Sequence, residues 1–331
     1  MLEPHQKICL YAEATMGLLN AKMTEGILRY GRNPAVAVID SHKAGRRAGE
    51  FLGTDDPTPV VATLDEAIAL GAEVLVLGTA PSGGRIPAEW MSVIWHAVGQ
   101  GLSIVNPLHD PLAEVLAAEL KPGAWVWDVR IPRGDMPPIA TARAREMGNT
   151  RVLMIGTDMA VGKMTAGLEL HHSLVAQGRD AAFLATGQIG VTITGHGIPL
   201  DAFRVDHASG AVERMVLDAG PREVVIVEGQ GSLLHPGSTA TLPLMRGSCP
   251  THMILCHRAG MTHLDTAAGV AVPPLRDVVA LNEMVVSANG ALPGARVVAL
   301  AVNTRALAET EAREALARLS GETGLPATDP V

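Results

Sequence analysis

The sequence predicts an α/β protein built from two parallel-sheet domains, and three observations carry that prediction. Short Val-, Ile- and Leu-rich runs alternate along the chain with helical patterns, a beat that implies parallel crossovers. At mid-chain one such run, 151–155, enters a loop bounded by Gly156 and Gly162 and passes directly into a helical stretch. The 331 residues are 47% hydrophobic but only 3% aromatic, so Ala, Val, Leu and Gly must do most of the packing. That composition suits buried parallel strands under small-residue helices, and the length favours two domains, 1–135 and 136–331.

The first domain reads in order as strand 7–11, helix 17–30, strand 35–40, loop 54–59, helix 64–70 and strand 73–78. A glycine-rich turn, 79–85, follows, and Pro87 suits the first turn of a helix running to about Gln100. Strand 102–105, the segment 106–111, a helix through Leu120 and strand 125–130 complete an open α/β domain of Rossmann type. No Gly-x-Gly-x-x-Gly follows the first strand, so no dinucleotide is expected there.

Ligands of open α/β sheets sit beyond the carboxyl ends of the strands, which singles out Ser82, Gly83, Gly84 and Arg85, and the stretch from Asn106 to Asp110 with His109. Arg85 is suited to clamp a carboxylate, the alternative being a solvated loop arginine. His109 reads either as a general base or as a hydrogen-bond partner at a helix entry. Pro132, Gly134, Pro137, Pro138 and Gly148 then interrupt any long element, so 131–150 reads as a linker.

The second domain opens on the mid-chain loop and is expected to be a P-loop NTPase-like α/β domain. Gly156, Thr157, Asp158, Val161, Gly162, Lys163, Met164 and Thr165 form the predicted phosphate-binding set. Glycines let several N–H groups converge, the helix start adds the positive end of its dipole, and Lys163 supplies a full charge. A lysine at a helix start opposes the dipole, which gives its presence a meaning beyond joining a strand to a helix. Five residues separate the two glycines, and Met164 stands where the usual pattern has a hydroxyl, with Thr165 one step later. That departure bears on magnesium.

Further on, the helix runs to about Gln177, strand 180–185 ends in a ligand-facing turn, 186–190, containing Gln188, and Asp206 lies before a helix from Ala211. The apolar run 224–227 closes on Glu228, with Gly229, Gln230 and Gly231 behind it. A carboxylate at that place can hold magnesium or take a proton from a bound nucleophile, or else serve as an ion-pair partner at a strand end. Asp206 is a second candidate base, because Asp158 is placed to shape the loop. Strand 251–257, a helix near 278–288, strand 296–302 and helix 307–319 finish the domain. Asn303 follows the last strand and suits either an adenine edge or turn chemistry. His252, His257 and His263 lack metal-ligand spacing and read as structural.

The formal net charge of −8 and the absence of a basic cluster argue against a nucleic-acid partner and for a small-molecule substrate. Cys9, Cys249 and Cys256 are too few and too scattered for disulfides or zinc, no metal site is expected, and a reducing cytoplasm fits. No apolar run approaches a membrane span and the first residues do not begin a signal peptide. A cytoplasmic homo-oligomer with no membrane partner is the expectation.

The loop 156–165 resembles that of the dethiobiotin synthetase and cobyric acid synthase branch of P-loop proteins. Taken with 186–190 and 227–232, and with 78–84 and 105–109, it resembles across essentially the whole chain a DgcN-like family long carried as a domain of unknown function. The resemblance implies a Rossmann-like N-terminal domain, a P-loop C-terminal domain, and N-acetyl transfer from acetyl-CoA to a small amino acid, D-glutamate or a related D-amino acid. The dethiobiotin branch usually carries a lysine after its second strand, where this chain has Thr186, Gly187 and Gln188. A loop that grips phosphate without cleaving it suits the ADP-like end of coenzyme A. On that reading Glu228 or Asp206 is the base, Lys163 holds charge, and Ser82 to Arg85, Asn106, His109, Gln188 and Gln230 meet the substrate. The alternatives are an ATP- and magnesium-dependent ligase or kinase, and a nucleotide-sensing protein without chemistry.

Overall fold

A computed structural model describes residues 2–330 and divides the chain into two compact units. The first comprises Met1–Arg133 and Gln188–Ala202, the second Gly134–Gly187 and Phe203–Val331.

In the first unit, β1 (Ile8–Tyr11), α1 (Lys22–Tyr30), β2 (Ala35–Ile39), α2 (Gly49–Leu52), β3 (Val60–Val61), α3 (Leu64–Ala69), β4 (Val74–Leu77), α4 (Trp90–Gln100), β5 (Ser103–Asn106), α5 (Ala113–Leu116) and β6 (Val126–Asp128) follow one another. The six strands are all parallel in the order β3-β2-β1-β4-β5-β6, the doubly wound order with its switch point between β1 and β4. Every residue of β1, β4 and β5 is buried, which is why these strands read as continuous apolar runs rather than alternating ones. Thr63 starts α3 by accepting from Glu66 N at 3.3 Å, while Gly101, at φ 90°, ends α4 in a left-handed conformation. The short β3 lies at the sheet edge and carries no periodicity, which hid it from the sequence pattern. α5 is a single turn, shorter than the pattern through Leu120 implied.

The second unit contains β7 (Thr150–Gly156), α6 (Lys163–Ala176) and β8 (Ala181–Leu184). The chain then leaves it to form α7 (Gln188–Thr194) in the first unit, and returns for α8 (Val205–Asp218), β9 (Val224–Val227), α9 (Thr241–Ser248), β10 (His252–Arg258), α10 (Leu275–Ser287), β11 (Arg296–Asn303), α11 (Glu309–Thr323) and β12 (Ala327–Thr328). This second six-stranded parallel sheet has the order β12-β11-β10-β7-β9-β8. The strand feeding the phosphate loop, β7, thus lies between β9 and β10.

The segment 188–202, which lies within 136–331, packs on the first unit: α7 buries Gly190, Val191, Thr192 and Ile193 and packs with α1, which buries Met23, Thr24, Gly26 and Ile27. Periodicity states that a helix has an apolar face but not which sheet it covers. The proposed linker is also more structured than its prolines suggested. Buried Glu213 of α8 accepts from Thr141 N at 3.2 Å and Arg143 N at 2.7 Å, so the segment lies down on that helix. α9 was missed because Pro243 and Gly247 break the helical pattern. Pro243 sits in the first turn, where no intrahelical donor is lost. At Gly247 the helices cross so closely that a Cβ would lie 2.3 Å from Ser209 O.

Gly210 on α8 has a still closer neighbour, since a Cβ there would fall 1.6 Å from Pro138 O, whereas Gly99 on α4 faces open space. Gly210→Ala is expected to destabilise the protein by about 2 kcal/mol or more. Gly99→Ala should stabilise it by about 0.5–1 kcal/mol. Thermal and urea unfolding of the two variants beside the parent check both signs.

Candidate functional site

The phosphate loop is shaped by the burial of its own polar groups. β7 delivers Gly156, and Gly162, at φ 100°, turns the backbone into α6, whose first residue is Lys163. Lys163 is only 4% exposed, and its Nζ donates to Asp158 O at 2.7 Å and Met159 O at 3.0 Å. The ammonium is thereby folded over the loop rather than extended into solvent. A Cβ on Gly156 would lie 3.0 Å from Nζ and 2.9 Å from Val161 Cγ2, which fixes why that position has no side chain. Asp158 is buried and shapes the loop from within: Oδ1 accepts from Met159 N at 2.7 Å and Oδ2 from Asp265 N at 2.9 Å. Thr157 N donates to Cys256 O at 3.1 Å, and its hydroxyl lies 3.0 Å from His257 Nδ1. Burial first, then Arg258 and Arg318, push His257 down to about 4, so it is neutral at pH 7. Met164 and Thr165 follow on α6, both partly buried.

Glu228 stands at the end of β9, beside β7, and is 3% exposed. Its Oε2 accepts from Thr186 N at 2.7 Å and Gly187 N at 3.1 Å, and its own N–H donates to Leu184 O at 3.0 Å. Burial raises its pKa from 4.5 to about 7, outweighing the two main-chain donors, the charge of Lys163 and the Gln230 side chain, all of which lower it. The backbone passes so close to β7 here that a Cβ on Gly229 would meet Met154 O at 1.7 Å and Lys163 Cδ at 2.8 Å. Gly229 therefore sets the carboxylate beside the lysine stem. Gly187 is held open in the same way, with Gln230 Nε2 at 2.4 Å from its missing Cβ. Ser232 closes the arrangement, donating to Thr157 O at 3.0 Å.

Other predicted residues are placed differently. Asp206 lies exposed in the first turn of α8, where the helix dipole favours a carboxylate. Gln188 begins α7 and belongs to the first unit. Asn303 Oδ1 accepts from Arg305 N at 3.1 Å, which is turn chemistry after β11.

In the first unit, Arg85 is 74% exposed and pairs with Asp110 at 2.6 Å. Asn106 spends both amide protons, on Asp110 O and Asp128 Oδ1, each at 2.7 Å, and its oxygen accepts from Leu108 N at 3.1 Å. His109 is exposed, and its N–H donates to Gly84 O at 2.9 Å. Gly83 and Gly84 both have positive φ, 78° and 65°, as their turn requires. The side chain of Ser82 lies outside the described residues.

Comparison with known proteins identifies the family. Residues 138–331 match the P-loop domain of the domain of unknown function DUF1611, and residues 41–132 match its Rossmann-like N-terminal domain. The chain belongs to the DUF1611 family. A crystal structure of a DUF1611 family protein from Anabaena variabilis ATCC 29413, at 2.30 Å resolution, superposes with a TM-score of 0.96 at 45% identity, covering 98% of this chain and 95% of that one. A protein of Tritonibacter scottomollicae named D-glutamate N-acetyltransferase is 35% identical over 318 residues, 95% of this chain and 91% of its own. Another of that name from Pseudoalteromonas sp. is 35% identical over 270 residues, 80% of each. Likeness at this level over most of the chain makes this DUF1611 protein an acyltransferase. Among the described residues no helix is long and apolar enough to cross a membrane.

Sequence reasoning missed several groups that the DUF1611 fold gathers. Ser232 was read only as the end of a motif, yet it ties β9 to the phosphate loop. His257 was read as structural, and its contact with Thr157 gives that role a location. Arg130 and Asp201, ion-paired in the first unit, carried no pattern that marks them.

Asp158→Ala is expected to free the Asp265 N–H and loosen the segment after β10, with little change in β7. Amide hydrogen exchange at Asp265 and its neighbours should accelerate at least tenfold, and unchanged protection there would show that the bond to Asp158 does not hold the segment.

Proposed function

We propose that this DUF1611 protein is an N-acetyltransferase that moves an acetyl group from acetyl-CoA to the amine of a small amino acid, D-glutamate or a related D-amino acid. The observation that carries the proposal is the buried Glu228 carboxylate, raised to about 7 next to a phosphate loop. Amino acids are ammonium ions at neutral pH, and an amine attacks a thioester only after losing a proton. A carboxylate with an affinity for protons near neutrality is suited to take it. Transfer then forms the amide bond, breaks the thioester bond and releases coenzyme A as the thiol. The names of the two relatives support the choice of amino acid.

The donor's phosphates suit the loop of Gly156 to Lys163, since main-chain N–H groups, the start of α6 and the Lys163 ammonium are the partners an anion wants. The residues fit a loop that holds phosphate without a divalent ion. Both Asp158 oxygens are engaged by main-chain donors, Oε2 of Glu228 by two more, and Met164 supplies no hydroxyl. Fewer oxygen lone pairs are thereby left for magnesium beside the loop. Acetyl-CoA is then expected to raise the melting temperature equally with magnesium and with chelator, and Lys163→Ala should abolish that shift. Stabilisation by ATP that requires magnesium, with none by acetyl-CoA, would overturn the reading.

Glu228→Gln is expected to lower turnover by roughly 10²–10⁴-fold while acetyl-CoA still stabilises the protein. In the parent enzyme the rate should rise with pH through about 7 as Glu228 ionises, and this limb should vanish in the variant. Stability carries the same group with the opposite sign: because the folded pKa lies above 4.5, the stability linked to protonated Glu228 is full below pH 4.5 and fades as pH passes 7. Unfolding curves of parent and variant across that window report it independently of activity.

A further inference from the structure

The first unit contains a cavity of about 160 Å³ at the carboxyl ends of β5 and β6, between Leu108, Pro111 and Ile131 on the apolar side and Arg130 and Asp201 on the polar side, with His109 at its lining. That is room for several waters, enough to admit the carboxylate end of a small molecule. Position supports a ligand, because the ends of parallel strands are where open α/β sheets bind them.

Arg130 is the unusual group. Its side chain is only 14% exposed, and Nε donates to Pro107 O at 2.8 Å, which restrains the guanidinium and leaves its Nη edge to another partner. That edge meets the carboxylate of Asp201, in the turn Leu200–Ala202 of the segment that the second half of the sequence lends to this unit. Asp128, the other acid of the cavity, does not compete for it. Its oxygens accept from Leu112 N at 3.0 Å, Ala113 N at 2.9 Å and Asn106 Nδ2 at 2.7 Å. Asp201 is 48% exposed, so its bond to Arg130 is replaceable at little cost: a half-solvated ion pair contributes little net stability, and another carboxylate restores the same charge-assisted hydrogen bonds.

We propose that Arg130 is the carboxylate-binding residue of the acceptor amino acid, and that Asp201 is an internal carboxylate occupying this place until the substrate displaces it. That the ligand is the acceptor rests on the acyl-transfer reading; the carboxylate site itself does not. Arg85, paired with Asp110 and largely in solvent, is the poorer clamp by comparison. A planar fork pinned at one nitrogen selects a carboxylate over a neutral amide.

Glutarate, which has two carboxylates and no amine, is the direct probe. Titration calorimetry with the full chain should detect its binding, weakened at least tenfold by Arg130→Ala and by Arg130→Lys and tightened about threefold by Asp201→Asn, whose half-exposed position leaves folding intact. With D-glutamate as acceptor, the arginine variants should raise KM with kcat little changed and leave the KM of acetyl-CoA alone. Glutarate that does not bind the parent, or binds all four proteins equally, overturns the proposal. Arg130-dependent glutarate binding in a protein that acetylates no amino acid would keep the carboxylate site and remove the acyl-transfer reading. Acetylation indifferent to Arg130 and Asp201 would do the reverse.

Discussion

Two opposite charges, Lys163 and Glu228, are buried at the carboxyl edge of adjacent strands, and the second unit is built around satisfying them. A charge taken out of water costs several kcal/mol unless hydrogen bonds replace its hydration. Lys163 finds the carbonyls of Asp158 and Met159, so the loop must turn those carbonyls inward. Glu228 finds the amides of Thr186 and Gly187, so the end of β8 must turn its amides toward β9. Both demands are met only if the backbone between the two charges has no side chain, and Gly229 is where that is enforced. The glycines of this region follow from the charges.

The same demand spreads outward. Thr157 is bound on one side by the Cys256 carbonyl and His257 and on the other by Ser232, so the loops after β9 and β10 are both fastened to the phosphate loop. Asp158 reaches further and holds Asp265, whose carboxylate pairs with Arg258 at the end of β10. A change in the phosphate loop is therefore felt first in the segment that follows β10. The groups that make these bonds are neutral or fully paired, which keeps the low-dielectric surroundings that hold Glu228 near 7 rather than near 4.5.

What could be read from the chain alone follows from how local each feature is. The buried strands, the glycine-bounded loop and the carboxylate after β9 are contiguous patterns, and each lies where its pattern put it. Which helix covers which sheet is not contiguous information, so the packing of α7 on the first unit was not legible although its apolar residues were visible. Arg130 and Asp201 are 71 residues apart in sequence and meet only because α7 and the turn after it join the first unit. Arg85 has a more suggestive context, a glycine turn after a buried strand, yet Asp110 takes its charge. Asn303 was legible as a turn residue and as an adenine contact, and its own backbone partner two residues on favours the turn.

Acyl transfer can proceed through a covalent enzyme intermediate or directly, and the side chains around the phosphate loop bear on the choice. Burial pushes Cys256, next to the loop, up to about 12, so it is a thiol and not a thiolate at neutral pH. Thr157 touches His257 but is wholly buried, closed to a substrate carbonyl. Thr266 has a histidine at 2.7 Å, His235 Nε2, which resembles an activated hydroxyl. His235 Nδ1, however, accepts from Gly237 N at 3.1 Å, which places the ring proton on Nε2. The imidazole then donates to the threonine and cannot serve as its base. With these nucleophiles silent, the side chains favour direct acyl transfer over a covalent enzyme intermediate.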